Sequence, residues 1–362
     1  MKKLLTMMIV ALCSAAGWCQ GTEANPFTCA EANAFVAGLA ADTPTETEYY
    51  VKGKVSRIQD NFGYLYGNAT FYISDDGKQN GEFCVYRTKY FDGANYAGGR
   101  VPNIGDEVVL CGKLVNYKGT TPETASGKCR LVSLNDKTVG MGLEVGDLFV
   151  AKTPEDVEMF FVVDETGKRM GFASEIGCSV GYAVGNRAET YTNPLCCINA
   201  NYAGAITIPA TAEGFPIQAI APSAFINSNL TSVTIPATVW DIETDAFKGC
   251  QNLASVTLPE GVILNNGTFQ DCTALTSIEL PKNVQLWASE TIFGGCTNLT
   301  AITVKDETPY NLQESYLVDD PSQVTLYVPA GFNAAAADVN GDGMVDIADA
   351  VAVLNSIMNG SE

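Results

Sequence analysis

The sequence predicts a mainly β protein: a small barrel, then a solenoid of stacked coils, then a short C-terminal loop followed by a helix. Three observations carry that reading. Five runs rich in Val, Tyr and Phe follow a single helix-like segment in the first third of the chain. A block of about two dozen residues then copies itself several times. Last, short oxygen-bearing side chains occupy alternate positions from Asp338 onward, with an apolar helical stripe close behind.

The totals permit this architecture and exclude several function classes. With 362 residues and 46% hydrophobic content the chain can hold two or three domains with real cores. Its start, MKKLLTMMIVALCSAAGWCQG, has two lysines, an apolar stretch and then small residues, the layout of a secretory signal peptide over 1–19. Cleavage before Gln20 or after Gly17 fits equally, and Trp18 ahead of Cys19 argues against a lipid-anchored start. No later segment is apolar for long enough to span a membrane. Without Lys2 and Lys3 there are 19 basic and 41 acidic residues, a net charge of −22. Such a field repels nucleic acid and anionic lipid and suits divalent cations. The chain has no His, which removes Ser-His-Asp and Cys-His nucleophiles and the usual zinc-hydrolase sites. Ten cysteines remain after the signal segment and none forms a CxxC pair, so neither a zinc ribbon nor a redox motif is expected.

The mature N-terminus, NPFTCAEANAFVAGLAADTP, opens with Thr28 three residues before Glu31, a capping box. Ala30, Ala34, Phe35 and Leu39 then supply an apolar stripe, so one short helix ending before Pro44 is predicted. The strands read as YYVKGKVSRI, YLYGNATFYISDDG, EFCVYRTKYF, DEVVLCGKLVNY and CRLVSLN. An OB-like β-barrel is the economical way to close five such strands without exposed edges. Through YYVKGKVS, YGNATFYISDDG, IGDEVVLCGKLVNY and TPETASGKC, residues 25–137 resemble the small OB-like domains of secreted proteins from gut and oral Bacteroidetes. Nine of the 15 tyrosines lie between Tyr49 and Tyr117. They read either as a stacking face for sugars or as ordinary sheet packing. Asp75, Asp76 and Gly77 read as a hairpin turn. Residues 138–203 form a less regular β-rich lead-in, in which GDLFVAKTPEDVEMFFVVDE predicts a hairpin that begins a second sheet system.

From 204 to 331 the chain repeats. Leu230, Leu253, Leu275 and Leu299 recur at intervals of 23, 22 and 24 residues, and Phe225, Phe247, Phe269 and Phe293 keep the same beat, as do Cys250, Cys272 and Cys296. A period in the twenties means coils that bury their apolar side only by stacking on neighbours. The pattern L-x-x-V-x-I-P, followed by A/T-F-x-x-C-x-x-L, resembles the BspA-type leucine-rich repeats of bacterial surface proteins, with ITIPATAEGFPIQAIAPSAF as a first copy. The last copy degenerates into YNLQESYLVDDPSQVTLYVPAG, as a terminal cap should. Strand alternation sends Val233 and Ile235 inward and Ser232 and Thr234 outward. The same rule exposes Ser255, Thr257, Ser277, Glu279 and Thr303. This stripe reads either as a surface that hydrogen-bonds a protein or glycan, as the resemblance implies, or as the wet side of a sheet. The repeat cysteines occupy an inward slot, where a ladder of free thiols is expected ahead of disulfides or metal.

Residues 332–362 carry the loop. Counted from Asp338, oxygen ligands fall at Asp338, Asn340, Asp342, the Met344 carbonyl, Asp346 and Asp349, with Gly343 for the sharp turn. That spacing suits Ca2+ as the one cofactor. Ile347, Val351, Leu354, Ile357 and Met358 follow on one helical face. A loop with a single following helix resembles one half of a dockerin, which implies a cohesin-like partner. In the cellulosomal modules loop positions 10 and 11 often hold a Ser-Thr pair; here they are Ile347 and Ala348, so the docking surface is expected to be apolar.

Together these features predict an exported, non-catalytic, adhesin-like protein, secreted or held at the cell surface. It would bind protein or carbohydrate through the repeat face and dock through its calcium-ordered tail. The alternative is an accessory or catalytic component of a glycan-degrading assembly recruited by the tail, and a third reading is a spacer with no ligand. A glycosidase needs two carboxylates about 5–10 Å apart in a cleft, and no segment looks large enough to house one.

Overall fold

The computed structural model describes residues 20–166, 175–180, 198, 202–306, 317–319 and 323–329, with backbone alone at 166 and 175–179. The signal segment 1–19 and the loop-helix 332–362, with Ile347 and Ala348 and all six calcium-ligand positions, lie outside the described residues. The chain divides into two compact units, Met1–Leu143 with Asp147–Val150 and Glu144–Gly146 with Ala151–Glu362.

The first unit begins with helix α1 (Cys29–Ala37), which ends at Gly38, ahead of Pro44. The capping box is formed: the Glu31 N–H donates to Thr28 Oγ1 at 3.2 Å and the Thr28 N–H to Glu31 Oε2 at 2.9 Å. A further cap comes from far along the chain. The Asp75 carboxylate accepts the N–H groups of Cys29 at 2.6 Å and Ala30 at 3.2 Å. Its charge sits where the helix N-terminus is positive, which satisfies two otherwise orphaned donors. The turn read at Asp75–Gly77 is present, with Asp76 accepting the Lys78 N–H at 2.9 Å, and it also serves to aim Asp75 at the helix.

Strands β1 (Tyr49–Asp60), β2 (Asn68–Ser74), β3 (Phe83–Lys89), β4 (Arg100–Val101), β5 (Glu107–Tyr117), β6 (Thr121–Leu134) and β7 (Leu148–Lys152) follow. Five of them close a barrel in the order β1-β2-β3-β6-β5, with β5 returning to β1 from Tyr49 opposite Gly112 to Lys54 opposite Glu107. The β3–β6 pair is parallel and the other four are antiparallel. Alternate residues fill the inside: Val51, Val55, Phe71, Ile73, Val85, Leu110, Leu114 and Leu131 are all buried. Closure leaves no edge for another chain to pair with. Gly112 makes the tight β5–β6 crossing possible, since a Cβ there would lie 2.4 Å from Cys129 Cα. Outside the barrel β4 pairs with β7, and the buried Arg100 guanidinium meets Asp147 at 3.3 Å and the Gly142 carbonyl at 2.7 Å.

The second unit contains β8 (Glu158–Thr166), β9 (Glu175–Val180), β10 (Ala205–Thr207), β11 (Thr211–Ala212), β12 (Phe215–Ile220), β13 (Ser232–Thr234) and β14 (Asp241–Ile242). Then come β15 (Ser255–Thr257), β16 (Ile263–Asn265), β17 (Ser277–Leu280), β18 (Gln285–Trp287), β19 (Ala301–Val304) and β20 (Thr325–Tyr327). A tight turn at 153–157 leads into β8, closed by the Thr153 N–H on the Val157 carbonyl at 2.9 Å. The chain turns back within the segment that predicted a hairpin. β8 pairs antiparallel with β9, and β9 pairs parallel with β12, so the lead-in supplies the first rung of a parallel ladder β9-β12-β14-β16-β18. The other side of the coils carries β10-β13-β15 and β17-β19-β20, also parallel.

Each coil therefore has two short strands, and its inward residues meet their equivalents one coil away. Ile220, Ile242, Leu264 and Leu286 form one buried row, and Leu230, Leu253, Leu275 and Leu299 are buried as well. The rings of Phe225, Phe247, Phe269 and Phe293 stack with centroids 4.8, 5.3 and 5.5 Å apart and planes within 3°, 11° and 6° of parallel. These separations follow from the roughly 4.7–4.9 Å spacing of hydrogen-bonded strands. A second row shows the steric cost of such exact stacking. Asn227, Gly249, Asp271 and Gly295 all hold left-handed φ, between 56° and 73°. A Cβ on Gly249 would come within 2.1 Å of Asn227 Oδ1, and one on Gly295 within 2.1 Å of Asp271 Oδ1. The slot alternates a polar side chain with a glycine because the side chain of one coil lies across the glycine of the next.

The Phe247 ring is covered on both faces by neighbouring coils, so Phe247→Ala should lower the unfolding free energy by about 3–5 kcal/mol. Exposed Ser255→Ala should change it by about 0.5 kcal/mol or less. Equilibrium urea unfolding followed by far-UV circular dichroism reads both.

Candidate binding face of the solenoid

The strands β10, β13, β15, β17, β19 and β20 present two outward positions each. The registers place Ala205, Ser232 and Ser255 in one row and Thr207, Thr234 and Thr257 in another. After a break in the hydrogen-bonded ladder between β15 and β17, the rows resume as Ser277, Ala301 and Thr325 beside Glu279, Thr303 and Tyr327. Of the residues predicted to face outward, Thr234, Ser255, Thr257, Ser277 and Glu279 are exposed, and Ser232 and Thr303 are half-buried. The intervening Val233, Val256, Ile278 and Ile302 are buried.

Sequence reasoning missed the two ends of this face. Ala205 and Thr207 on the first rung and Thr325 and Tyr327 on the last share the same alternation, which is legible in AITIP and VTLYVP. Tyr327 is 55% exposed and is the large aromatic group on these rows. Glu279 interrupts the hydroxyl pattern and pairs with Lys305 at 2.9 Å. Both partners are about half exposed, so the pair contributes at most about 1 kcal/mol and acts chiefly on the local charge of the face.

Behind the face the repeat cysteines are free and buried. Each thiol donates to the carbonyl of the phenylalanine one coil back: Cys250 to Phe225 at 3.0 Å, Cys272 to Phe247 at 3.3 Å and Cys296 to Phe269 at 3.1 Å. Ser228 starts the row, its hydroxyl 3.2 Å from Cys250 Sγ. The neighbouring Cys296 thiol, then burial, pushes the Cys272 thiol far above its ordinary range. The slot thus satisfies a buried carbonyl in every coil, a polar role that the reading of Cys as a small hydrophobe did not anticipate.

In the first unit the surface tyrosines are largely occupied. The Arg57 guanidinium lies 3.4 Å over the Tyr72 ring, Arg87 covers Tyr86 at 5.3 Å and Lys118 covers Tyr117 at 5.0 Å. Tyr49 packs on Phe27 and Phe35, and Tyr90 and Tyr96 are buried. Tyr64 packs edge-on against Tyr96 with centroids 5.2 Å apart, so packing and cation–π contacts account for seven of the nine tyrosines. Tyr66, 72% exposed beside Leu65 at 75%, stands on the β1–β2 loop. Along the row Arg57, Tyr72, Cys84 and Glu123, burial is the first cause that pushes Cys84 up to about 12. Burial also raises Glu123 above the usual carboxylate range, while a hydrogen bond from Cys84 works the other way. A thiol held that high stays protonated and is a poor nucleophile.

Stacked coils with a parallel ladder on either side are the arrangement of a repeat solenoid. Residues 218–318 match the BspA type leucine rich repeat region, in six copies. Several solved structures align with the chain, three of them as follows. A leucine-rich repeat protein from Bacteroides capillosus is 22% identical over 41% of this chain and 94% of its own, with a TM-score of 0.29. The T. pallidum leucine-rich repeat protein TpLRR is 17% identical over 54% of this chain and 92% of its own, with a TM-score of 0.27. The pneumococcal vaccine antigen PcpA is 14% identical over 52% of this chain and 51% of its own, with a TM-score of 0.28. No curated protein matches the chain.

Proposed function

We propose that this is an exported, non-catalytic binding protein that works at or beyond the cell surface. Its ligand would be a protein or a carbohydrate, recognised by the outward rows from Thr207 to Tyr327. The observation that carries this reading is the face itself: short hydroxyl side chains and one exposed tyrosine held in register on backbone ladders. Such a surface offers many donors and acceptors that lose little entropy on binding, because the strands fix them beforehand.

The barrel is a second contact module of the OB type. Its strand order, with a single parallel pair, supports that assignment, and the exposed Leu65 and Tyr66 mark where a ligand would touch it. The tail is a calcium-ordered dock: the spacing of Asp338, Asn340, Asp342, Met344, Asp346 and Asp349 supports Ca2+, and Ile347 and Ala348 would meet a cohesin-like partner. A non-catalytic role is supported by the absence of His from the sequence and by the raised thiol of Cys84. Export is supported by the sequence of residues 1–19. Among the described residues no helix is long and apolar enough to cross a membrane. The same loop spacing favours a second reading, an accessory component of a glycan-degrading assembly.

Two experiments test the proposal. Ser255→Lys, Thr257→Lys and Ser277→Lys combined should abolish capture of the protein on a glycan array or on intact bacterial cells while far-UV circular dichroism is unchanged. Undiminished capture on whichever surface retains the parent would contradict the assignment of the face. In isothermal titration with CaCl2 the parent should give binding heat that Asp338→Ala and Asp349→Ala both remove. Equal heats in all three would sink the calcium loop.

A further inference from the structure

The first rung of the outward ladder raises a problem that the later rungs do not have. In a parallel pair, alternate residues of a strand turn their backbone groups toward one neighbour and the rest turn theirs away. Here the Thr231 N–H donates to the Gly204 carbonyl at 2.9 Å and the Ile208 N–H to the Thr234 carbonyl at 3.0 Å. Gly204, Ile206 and Ile208 therefore address β13, and Ala205 and Thr207 point their backbone groups to the other side of β10, where no strand pairs among the described residues. A row of this kind is a template for another strand.

Two side chains from outside the repeat occupy that row. Tyr202 Oη donates to the Ala205 carbonyl at 2.6 Å, and Glu155 Oε2 accepts the Thr207 N–H at 3.0 Å. One supplies a donor and the other an acceptor, which is what an incoming strand would offer at the same two groups. Both are held in place. Glu155 stands at the tip of the 153–157 turn, which is closed by the Asp156 N–H on the Thr153 carbonyl at 3.0 Å and by left-handed Asp156. Lys152 pairs with Asp156 at 2.6 Å and so neutralises the adjacent carboxylate. Tyr202 lies across Gly204, where a Cβ would come within 2.9 Å of the hydroxyl. Burial works against ionisation of Glu155, but hydrogen bonds from the Thr207 N–H and hydroxyl, its own N–H and the Thr153 hydroxyl together hold the carboxyl below its ordinary range.

We propose that Glu155 and Tyr202 form a strand-mimicking cap that occupies the Ala205 carbonyl and the Thr207 N–H of β10 and prevents a second copy of this chain from adding its own edge strand there. The occupant excluded is a copy's β20, the last described rung of the same outward face, because its addition would continue the parallel register. Such head-to-tail contact is heterologous, and where its rotation does not close into a ring it propagates into fibres. The cap is thus a device that keeps a stacked protein from stacking further.

The test uses the full mature chain in sedimentation velocity over a wide range of concentration. The parent and Glu155→Gln, which keeps a carbonyl acceptor for Thr207, should sediment as monomer. The Glu155→Ala/Tyr202→Phe double variant should shift to larger species that grow with concentration. Hydrogen exchange of the Thr207 amide should accelerate about tenfold or more in Glu155→Ala, a loss of about 1.4 kcal/mol of protection, and stay near parental in Glu155→Gln. A folded double variant that remains monomeric would overturn the proposal, as would a parent that assembles to the same extent. If the double variant does not fold, Glu155→Ala against Glu155→Gln decides: assembly of the first alone supports the cap, and identical behaviour overturns it.

Discussion

The in-register contact between one coil and the next is the constraint on which the repeat unit depends. A single coil of 22 to 24 residues has two strands of a few residues each, too short to be stable alone. Within the stack its phenylalanine, such as Phe247, is covered on its two ring faces by the phenylalanine above and the one below. The same holds for the Leu row, for the thiols that donate to a carbonyl one coil back, and for the glycines that lie beneath a neighbour's Asn or Asp. Hydrophobic burial, hydrogen bonding and backbone conformation are all satisfied between coils, so any one of them forces the register that the others need.

A structure stabilised in this way has no internal reason to stop. Closed barrels solve the problem by returning to their first strand, as β5 does to β1 in the first unit. A solenoid cannot, and its ends must be made different. Here the difference is a pair of polar side chains, one donor and one acceptor, set against the first outward strand. On the opposite ladder the same need is met by β9, a strand from outside the repeat that pairs with β12 and is itself covered by β8. With its first rungs occupied, the stack can offer an outward face whose side chains are aligned by the backbone.

Legibility in the sequence followed the range of the interaction. The period of Leu, Phe and Cys was visible because identical positions see identical surroundings, and the strand alternation that exposes Ser255 and Thr257 is a property of three consecutive residues. The α1 capping box spans three residues and was equally plain. By contrast Asp75 on the helix terminus and Glu155 on Thr207 join residues 45 or more positions apart, and nothing local distinguishes them from ordinary turn residues. The tyrosines of the barrel show the other failure. Their number invited a stacking surface, but whether a ring face is free depends on a cross-strand or adjacent cation, such as Arg57 on Tyr72, that composition does not locate. Ser228 was overlooked because it is not a cysteine, although it holds the cysteine's place.

Native-state hydrogen exchange after a single core change tests the interdependence of the coils most directly. With Phe269→Ala, amide protection should fall together in the mutated coil and in the two flanking it, around Phe247 and Phe293, by similar factors. Loss of protection confined to the residues of the mutated coil, with its neighbours unchanged, would show that the coils fold as separate units and would contradict the account.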